Sequence, residues 1–362
     1  MPPVSSVVQH ITTADTRNDR AVSKPDARRL KNVSQRVIMR RRHGNHGTHR
    51  VRSGMLGDAL IPLAVPPRLQ TGARIALVSP SGPLRDVADL VQAEANVRLF
   101  GWEPVIGAHA MSRDGYFAGT DAQRRMDLLA AIEDDTIDAI WCLRGGYGAA
   151  RLLPFIDVDA IARRPKVLIG YSDITALHAV WQRAGVVSYH GPVARAAFTP
   201  FSLDSFRRAI VLRENSAGPA PAAEVLRPGR ASGRLAGGNL ALLASLCGTP
   251  WAVHFRGAIA IIEDVGEATY RLDRMLNQLL QAGAFDGCVA LAFGQFADCP
   301  DDTGDGRRSL RDVARDVADH LNVPALFGIP CGHVPDQWTF PFGAIATLDT
   351  SAGTLLVHSE ST

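Results

Sequence analysis

VLIGYSDITALH, residues 167–178, is the stretch from which the architecture can be read. Four apolar residues end at Gly170, a polar Tyr-Ser-Asp turn follows, and a helical pattern runs on through residues 174–185. A short apolar run bounded by turn residues and then a helix is the start of a βα unit. In a parallel sheet such a turn lies at the C-terminal edge of the strands, where open α/β sheets place their sites. A sharp strand–turn–helix junction also projects the side chain at its apex, here Ser172, above that edge. The amide of Asp173, opening the helix, can donate to a developing oxyanion. Ser172 or Asp173 could equally be a plain helix cap. Local spacing leaves both readings open.

Working outward, the alternation continues on both sides. RIALVSPSG (74–82) reads as a buried strand, DVADLVQAEANVRLFG (86–101) as an amphipathic helix closed by Gly101, and EPVIGAH (103–109) as a second strand. TDAQRRMDLLAAIEDD (120–135) is a helix with Thr120 or Asp121 as N-cap, and DAIWCLRGG (138–146) is a strand running into a glycine turn. Downstream, residues 216–233 are rich in Pro, Ala and Gly and carry no periodicity, so they read as a linker or surface excursion. Beyond them come helices at 237–251, 268–283 and 309–322, strands at 258–264, 288–294 and 324–333, and two short strands near 344–349 and 354–359. The expected organisation is a basic tail at 1–60, one α/β domain at 72–195, a linker at 196–232 and a second α/β domain with some antiparallel strands at 233–362.

The chain has 362 residues, 46% of them hydrophobic, with a formal charge of +3. The first 53 residues hold 12 Lys/Arg against 3 Asp/Glu, a charge of +9, which leaves 27 basic and 33 acidic residues, −6, for the rest. The body is thus mildly acidic, which argues against a nucleic-acid partner. The Arg-, His- and Ser-rich tail is too poor in apolar residues to offset chain entropy, so it is expected to be disordered. Arg40 to Arg42 invite comparison with a twin-arginine signal. The apolar stretch that follows begins downstream, contains Asp58 and lacks a small-residue cleavage site, so export is disfavoured. Met55 directly precedes the foldable segment and could be the true start. No apolar run approaches the ~20 residues that span a bilayer, so no membrane association is expected. Five cysteines are scattered singly without a CxxC pair and read as reduced thiols, compatible with a reducing compartment.

Three further segments carry chemistry. Glycines 145, 146 and 148 in RGGYG permit close backbone approach and expose amide donors, and the Gly146 amide suits a second oxyanion donor. A structural turn is the plainer reading. A dinucleotide site is disfavoured because GxGxxG is absent. Glu263 ends the apolar strand AIAIIED, where a carboxylate could orient an imidazole, whereas Glu267 is spaced for an i,i+4 pair with Arg271. His333 follows Gly332 in a Pro/Gly-rich loop and is, among the 11 histidines, the best loop candidate on position. No HExxH or other metal-ligand spacing occurs, so neither metal nor cofactor is expected.

SPSGP, RGGYGAARLLPFID, GYSDITALH, GRLAGGNLALLASLCGTPW, IIEDVGEATYRLDRML and IPCGH with FPFGA occur in one order across roughly residues 72–350. Together they make the chain resemble the LD-carboxypeptidase (muramoyltetrapeptide carboxypeptidase) family of serine peptidases. The resemblance implies a flavodoxin-like parallel-sheet N-terminal domain and a C-terminal swivelling β/β/α-type domain. It implies a triad of Ser172, Glu263 and His333, and release of the terminal D-alanine from a murein tetrapeptide. It further implies a cytoplasmic homodimer acting in peptidoglycan recycling. An exopeptidase must also hold a free carboxylate, for which Arg144 and Asn239 are the candidates. Two alternatives stand beside this reading: a microcin-immunity-type peptidase cleaving aminoacyl-nucleotide analogues, and a non-catalytic peptidoglycan-peptide binding module.

Overall fold

A computed structural model describes residues 63–300 and 308–359; the tail expected at 1–60 lies outside them. Five parallel strands come first in the chain: β1 (Arg74–Val78), β2 (Glu103–Ile106), β3 (Ala139–Cys142), β4 (Val167–Gly170) and β5 (Ser188–His190). All but β2 are almost wholly buried and uniformly apolar near their centres, as strands covered on both faces must be. Between them run α1 (Val87–Leu99), α2 (Asp121–Glu133), α3 (Val158–Arg163) and α4 (Thr175–Arg183). Thr120 caps α2 in a full capping box with Gln123, settling the choice between Thr120 and Asp121. The order of the parallel strands, 5-4-3-1-2, is the flavodoxin-like one. Connections leave β1 and β3 in opposite directions, so a crevice opens between the loops that follow these two strands.

The second sheet has eight strands. Its centre is parallel: β8 (Arg230–Asn239), β9 (Ala258–Val265), β10 (Ala290–Ala297) and β11 (Ala325–Gly332). The antiparallel margins are β6 (Gly218–Pro219), β7 (Glu224–Arg227), β13 (Ile345–Asp349) and β14 (Thr354–Val357). Helices α6 (Leu240–Leu246), α7 (Thr269–Gln281) and α8 (Leu310–Leu321) accompany it, and α5 (Pro200–Phe206) precedes it.

Two differences from the sequence reading have plain causes. The stretch expected as a linker contains α5, β6, β7 and the start of β8. β6 pairs with β14 and β7 with β11, each more than 90 residues away, so no local periodicity announces them. Secondly, β12 (Phe340–Phe342) leaves the second sheet and adds an antiparallel edge to β5 of the first. One apolar cluster runs through both halves, joining Leu177 and Val180 of α4 to Leu240 and Leu243 of α6. That seam brings the C-terminal ends of β4, β9 and β11 together.

Candidate active site

Ser172 stands two residues beyond β4 with φ 65°, a left-handed backbone that costs a non-glycine residue energy and occurs where a site holds it in place. The turn lifts its hydroxyl toward β11. There His333 Nε2 lies 3.0 Å from Ser172 Oγ, and His333 Nδ1 lies 2.8 Å from Glu263 Oε2. Oγ–H can donate to Nε2 while Nδ1–H donates to the carboxylate, which selects one tautomer. Glu263, in β9, is fully buried, and His333 is only 20% exposed at its side chain. The three groups come from segments 70 to 161 residues apart. Tyr171 packs against the imidazole in a tilted arrangement with ring centres 4.9 Å apart.

Two glycines make this approach possible. A Cβ on Gly145 would sit 2.9 Å from Ser172 Cβ, closer than real carbon contacts allow. A Cβ on Gly332, at φ +118°, would meet Gln295 O at 2.6 Å and Glu263 Oε2 at 3.1 Å. Gly146, exposed in the same turn as Gly145, and Asp173 both leave their amides without a protein acceptor among the described residues.

The chemistry of this arrangement is that of an activated hydroxyl with a base and an orienting carboxylate. Residues 75–191 match the LD-carboxypeptidase N-terminal domain, and residues 232–348 match the LD-carboxypeptidase C-terminal domain. The chain belongs to the LD-carboxypeptidase family. The chain spans nearly the whole length of the relatives and the solved structure named next. It is 34% identical to the murein tetrapeptide carboxypeptidase of Pseudomonas aeruginosa, over 76% of this chain and 93% of that protein. It is 27% identical to the microcin C7 self-immunity protein MccF of Escherichia coli, over 80% and 93% respectively. The solved structure of the muramoyltetrapeptide carboxypeptidase from Oxalobacter formigenes superposes with a TM-score of 0.71 at 29% identity, covering 80% of this chain and all of that one.

Around Ser172, His333 and Glu263, three residues acquire roles that their spacing did not suggest. Asp173 is fully buried; its carboxylate accepts from Ser81 Oγ at 2.6 Å and from the Ala149 amide at 2.8 Å. It therefore ties the β1 loop and the glycine turn to the Ser172 turn, while burial pushes its carboxyl above the usual range. His178 of α4 donates through Nε2 to Gly170 O at 2.9 Å and accepts from Ser188 Oγ at 2.8 Å, fixing the end of β4 from behind. Asp264 accepts from Asn239 Nδ2 and the Ala241 amide at 2.8 and 2.9 Å, and burial raises its carboxyl to about 6. Asp173 and Asp264 carried the local signal of a position at or just past a strand end, and His178, inside α4, carried none.

Asn239, expected to hold substrate, is nearly buried. Its side chain donates to Asp264 and caps α6 by accepting from the Leu242 amide at 3.3 Å. Its local role is thus to join β8, β9 and α6. Arg144 opens the glycine turn half-buried, with Nη1 donating to Pro83 O at 2.5 Å. Glu267 pairs with Arg271 at 3.4 Å, as its spacing implied. Among the described residues no group of three or more His, Cys, Asp or Glu could hold a metal ion, and no helix is long and apolar enough to cross a membrane. All five cysteines are free thiols.

Proposed function

We propose that this chain is a serine LD-carboxypeptidase that releases the terminal D-alanine of a murein tetrapeptide through an acyl-enzyme. The observation that carries the reading is the unbroken hydrogen-bond path from Ser172 Oγ through His333 to Glu263. His333 takes the hydroxyl proton as Ser172 Oγ bonds to the scissile carbonyl carbon. The C–N bond then breaks, the same proton goes to the departing D-alanine amine, and water repeats the sequence on the ester. Glu263, dry and fixed, holds the imidazole tautomer and stabilises the imidazolium. The amides of Gly146 and Asp173 receive the oxyanion, each lowering the barrier by about 3 kcal/mol. The half at 72–195 supplies nucleophile and oxyanion donors, and the half at 233–362 supplies base and carboxylate, with 196–232 between them.

The test is Ser172→Ala, assayed for D-alanine release from murein tetrapeptide. A fall of about 10⁴-fold or more is expected. A folded variant that keeps the wild-type rate ends the proposal. Likeness to the microcin immunity protein supports a second reading, hydrolysis of an aminoacyl-nucleotide analogue. Turnover of an aminoacyl-sulfamoyl adenosine at the expense of tetrapeptide would select it. Loss of fluorophosphonate labelling in Ser172→Ala separates both from a binding module. We place the enzyme in the cytoplasm as a homodimer active in peptidoglycan recycling. Five unpaired thiols suit a reducing compartment, and light scattering that returns the 38.8 kDa monomer mass would refute the dimer.

A further inference from the structure

Beside the serine, the edge of the first sheet carries a surplus of positive charge. Arg144 follows β3, Arg195 follows β5, and Arg85 and Arg113 stand on adjoining loops close enough for Arg144 to sense all three. The acid at their centre is Asp89, on the first turn of α1. Its carboxylate is taken up by Arg85 Nη2 at 2.7 Å and Arg195 Nη1 at 3.5 Å. Arg113 reaches only Leu84 O, at 2.8 Å, and Arg144 only Pro83 O, at 2.5 Å. Arg195 Nε is buried with no partner. Arg85 and Arg113 are exposed and hydrated, whereas Arg144 and Arg195 are half-buried. Burial and the neighbouring Arg195 both disfavour the charged form of Arg144. Guanidinium groups held this close in a partly dry crevice repel one another unless an anion joins them.

Their position says which anion. A Cβ on Gly82 would lie 3.7 Å from Arg144 Cζ and 3.0 Å from Gly145 O, and a Cβ on Gly145 would lie 2.9 Å from Ser172 Cβ. Arg144 is therefore one layer of backbone away from the nucleophile, inside the crevice between the β1 and β3 loops. Arg195 acts on Tyr171, whose ring covers His333. In an exopeptidase substrate one residue separates the scissile carbonyl from the terminal carboxylate, a step of about 3.8 Å between Cα atoms. The segment that carries Arg195 is also held rigid. Asn96 Nδ2 donates to Ala194 O and Ala196 O at 2.7 and 2.8 Å, Ala194 N donates to Cys142 O at 2.9 Å, and Trp141 Nε1 donates to Pro192 O at 2.8 Å. Such preorganisation lowers the ordering cost of binding.

We propose that Arg144 and Arg195 form the subsite that grips the free C-terminal carboxylate of the peptide whose last amide bond is presented to Ser172. The inference rests on the LD-carboxypeptidase reading and deepens it. A planar guanidinium fork matches a carboxylate in two parallel hydrogen bonds. A peptide that continues beyond the cleaved bond carries no anion there and leaves Arg144 without an acidic partner, which makes the site an exopeptidase site.

The experiment compares a murein tetrapeptide with the same peptide ending in D-alaninamide, measuring release of D-alanine or D-alaninamide. Wild type is expected to favour the acid by roughly 10²-fold in kcat/KM. Arg144→Gln and Arg195→Gln should each shrink that preference at least tenfold, chiefly through KM for the acid. Arg144→Lys, with the charge but not the fork, should fall between wild type and Arg144→Gln, and it carries the comparison if glutamine disturbs the fold. Fluorophosphonate labelling of Ser172, which involves no carboxylate, reports in every variant that the nucleophile is intact. Variants that label normally and keep the wild-type acid-to-amide preference overturn the subsite while leaving the carboxypeptidase reading standing. A wild type that labels but cleaves neither peptide overturns that reading, and the subsite with it.

Discussion

Glu263 and Glu267 are four residues apart, and their environments assign them opposite duties. Glu263 is fully buried with Oε2 on the imidazole, whereas Glu267 lies at the surface against Arg271. A buried carboxylate that orients a base acts on the transition state, while an exposed i,i+4 pair contributes only tenths of a kcal/mol to stability. Glu263→Gln is expected to lower kcat by about 10²–10⁴-fold, and Glu267→Gln to leave it within about twofold. Equal losses in steady-state D-alanine release would show that the carboxylate has been misassigned. Strand ends and spacing offered Ser172, Glu263 and His333 as candidates, and only the resemblance joined them as a triad. Asp173 could be named only as an amide donor, because the partners of its carboxylate, Ser81 and Ala149, come from two other loops.

At the level of elements, α4 serves as both the support of the Ser172 turn and a pH-sensitive part of the fold. Burial lowers the pKa of His178 from 6.5 to about 4 and that of His190 well below the ordinary value. An unfolded chain takes up the His178 proton near pH 6.5, but the folded one does not until about pH 4, and burial acts on His190 in the same direction. Stability is therefore lost as pH falls through that window, by up to about 3 kcal/mol from His178 alone. Asp264 works in the opposite direction: its carboxyl, raised from 3.8 to about 6, binds a proton more tightly when folded, so stability is regained as pH falls from about 6. Urea midpoints at pH 7 and pH 4.5 should show a drop that is larger in Asp264→Asn than in wild type. A smaller drop in that variant would contradict the assignment. Helices α1, α2 and α8 were legible, since Asp86, Thr120 and Ser309 each cap a periodic run, whereas the short α3 and α5 were not. β6, β7 and β12 were not, because strands of two to four residues gain their stability from partners far along the chain.

For the molecule as a whole, the crossing of β12 onto β5 and the apolar cluster shared by α4 and α6 bind the two sheets into one cooperative body. Scanning calorimetry is expected to give a single transition with calorimetric and van't Hoff enthalpies in a ratio near ~1. Two resolved transitions would mean that the halves unfold independently. By itself the sequence determined the βα alternation, the caps, the glycine turns and the strand ends at which Ser172, Glu263 and His333 stand, because periodicity and turn chemistry act over a few residues. Only the tertiary structure decided that the three meet within 3.0 Å, that Asn239 is spent on Asp264, and that Arg195 shares Asp89 with Arg85. Those outcomes depend on contacts between segments scores of residues apart, and local chain preferences carry no record of such distances.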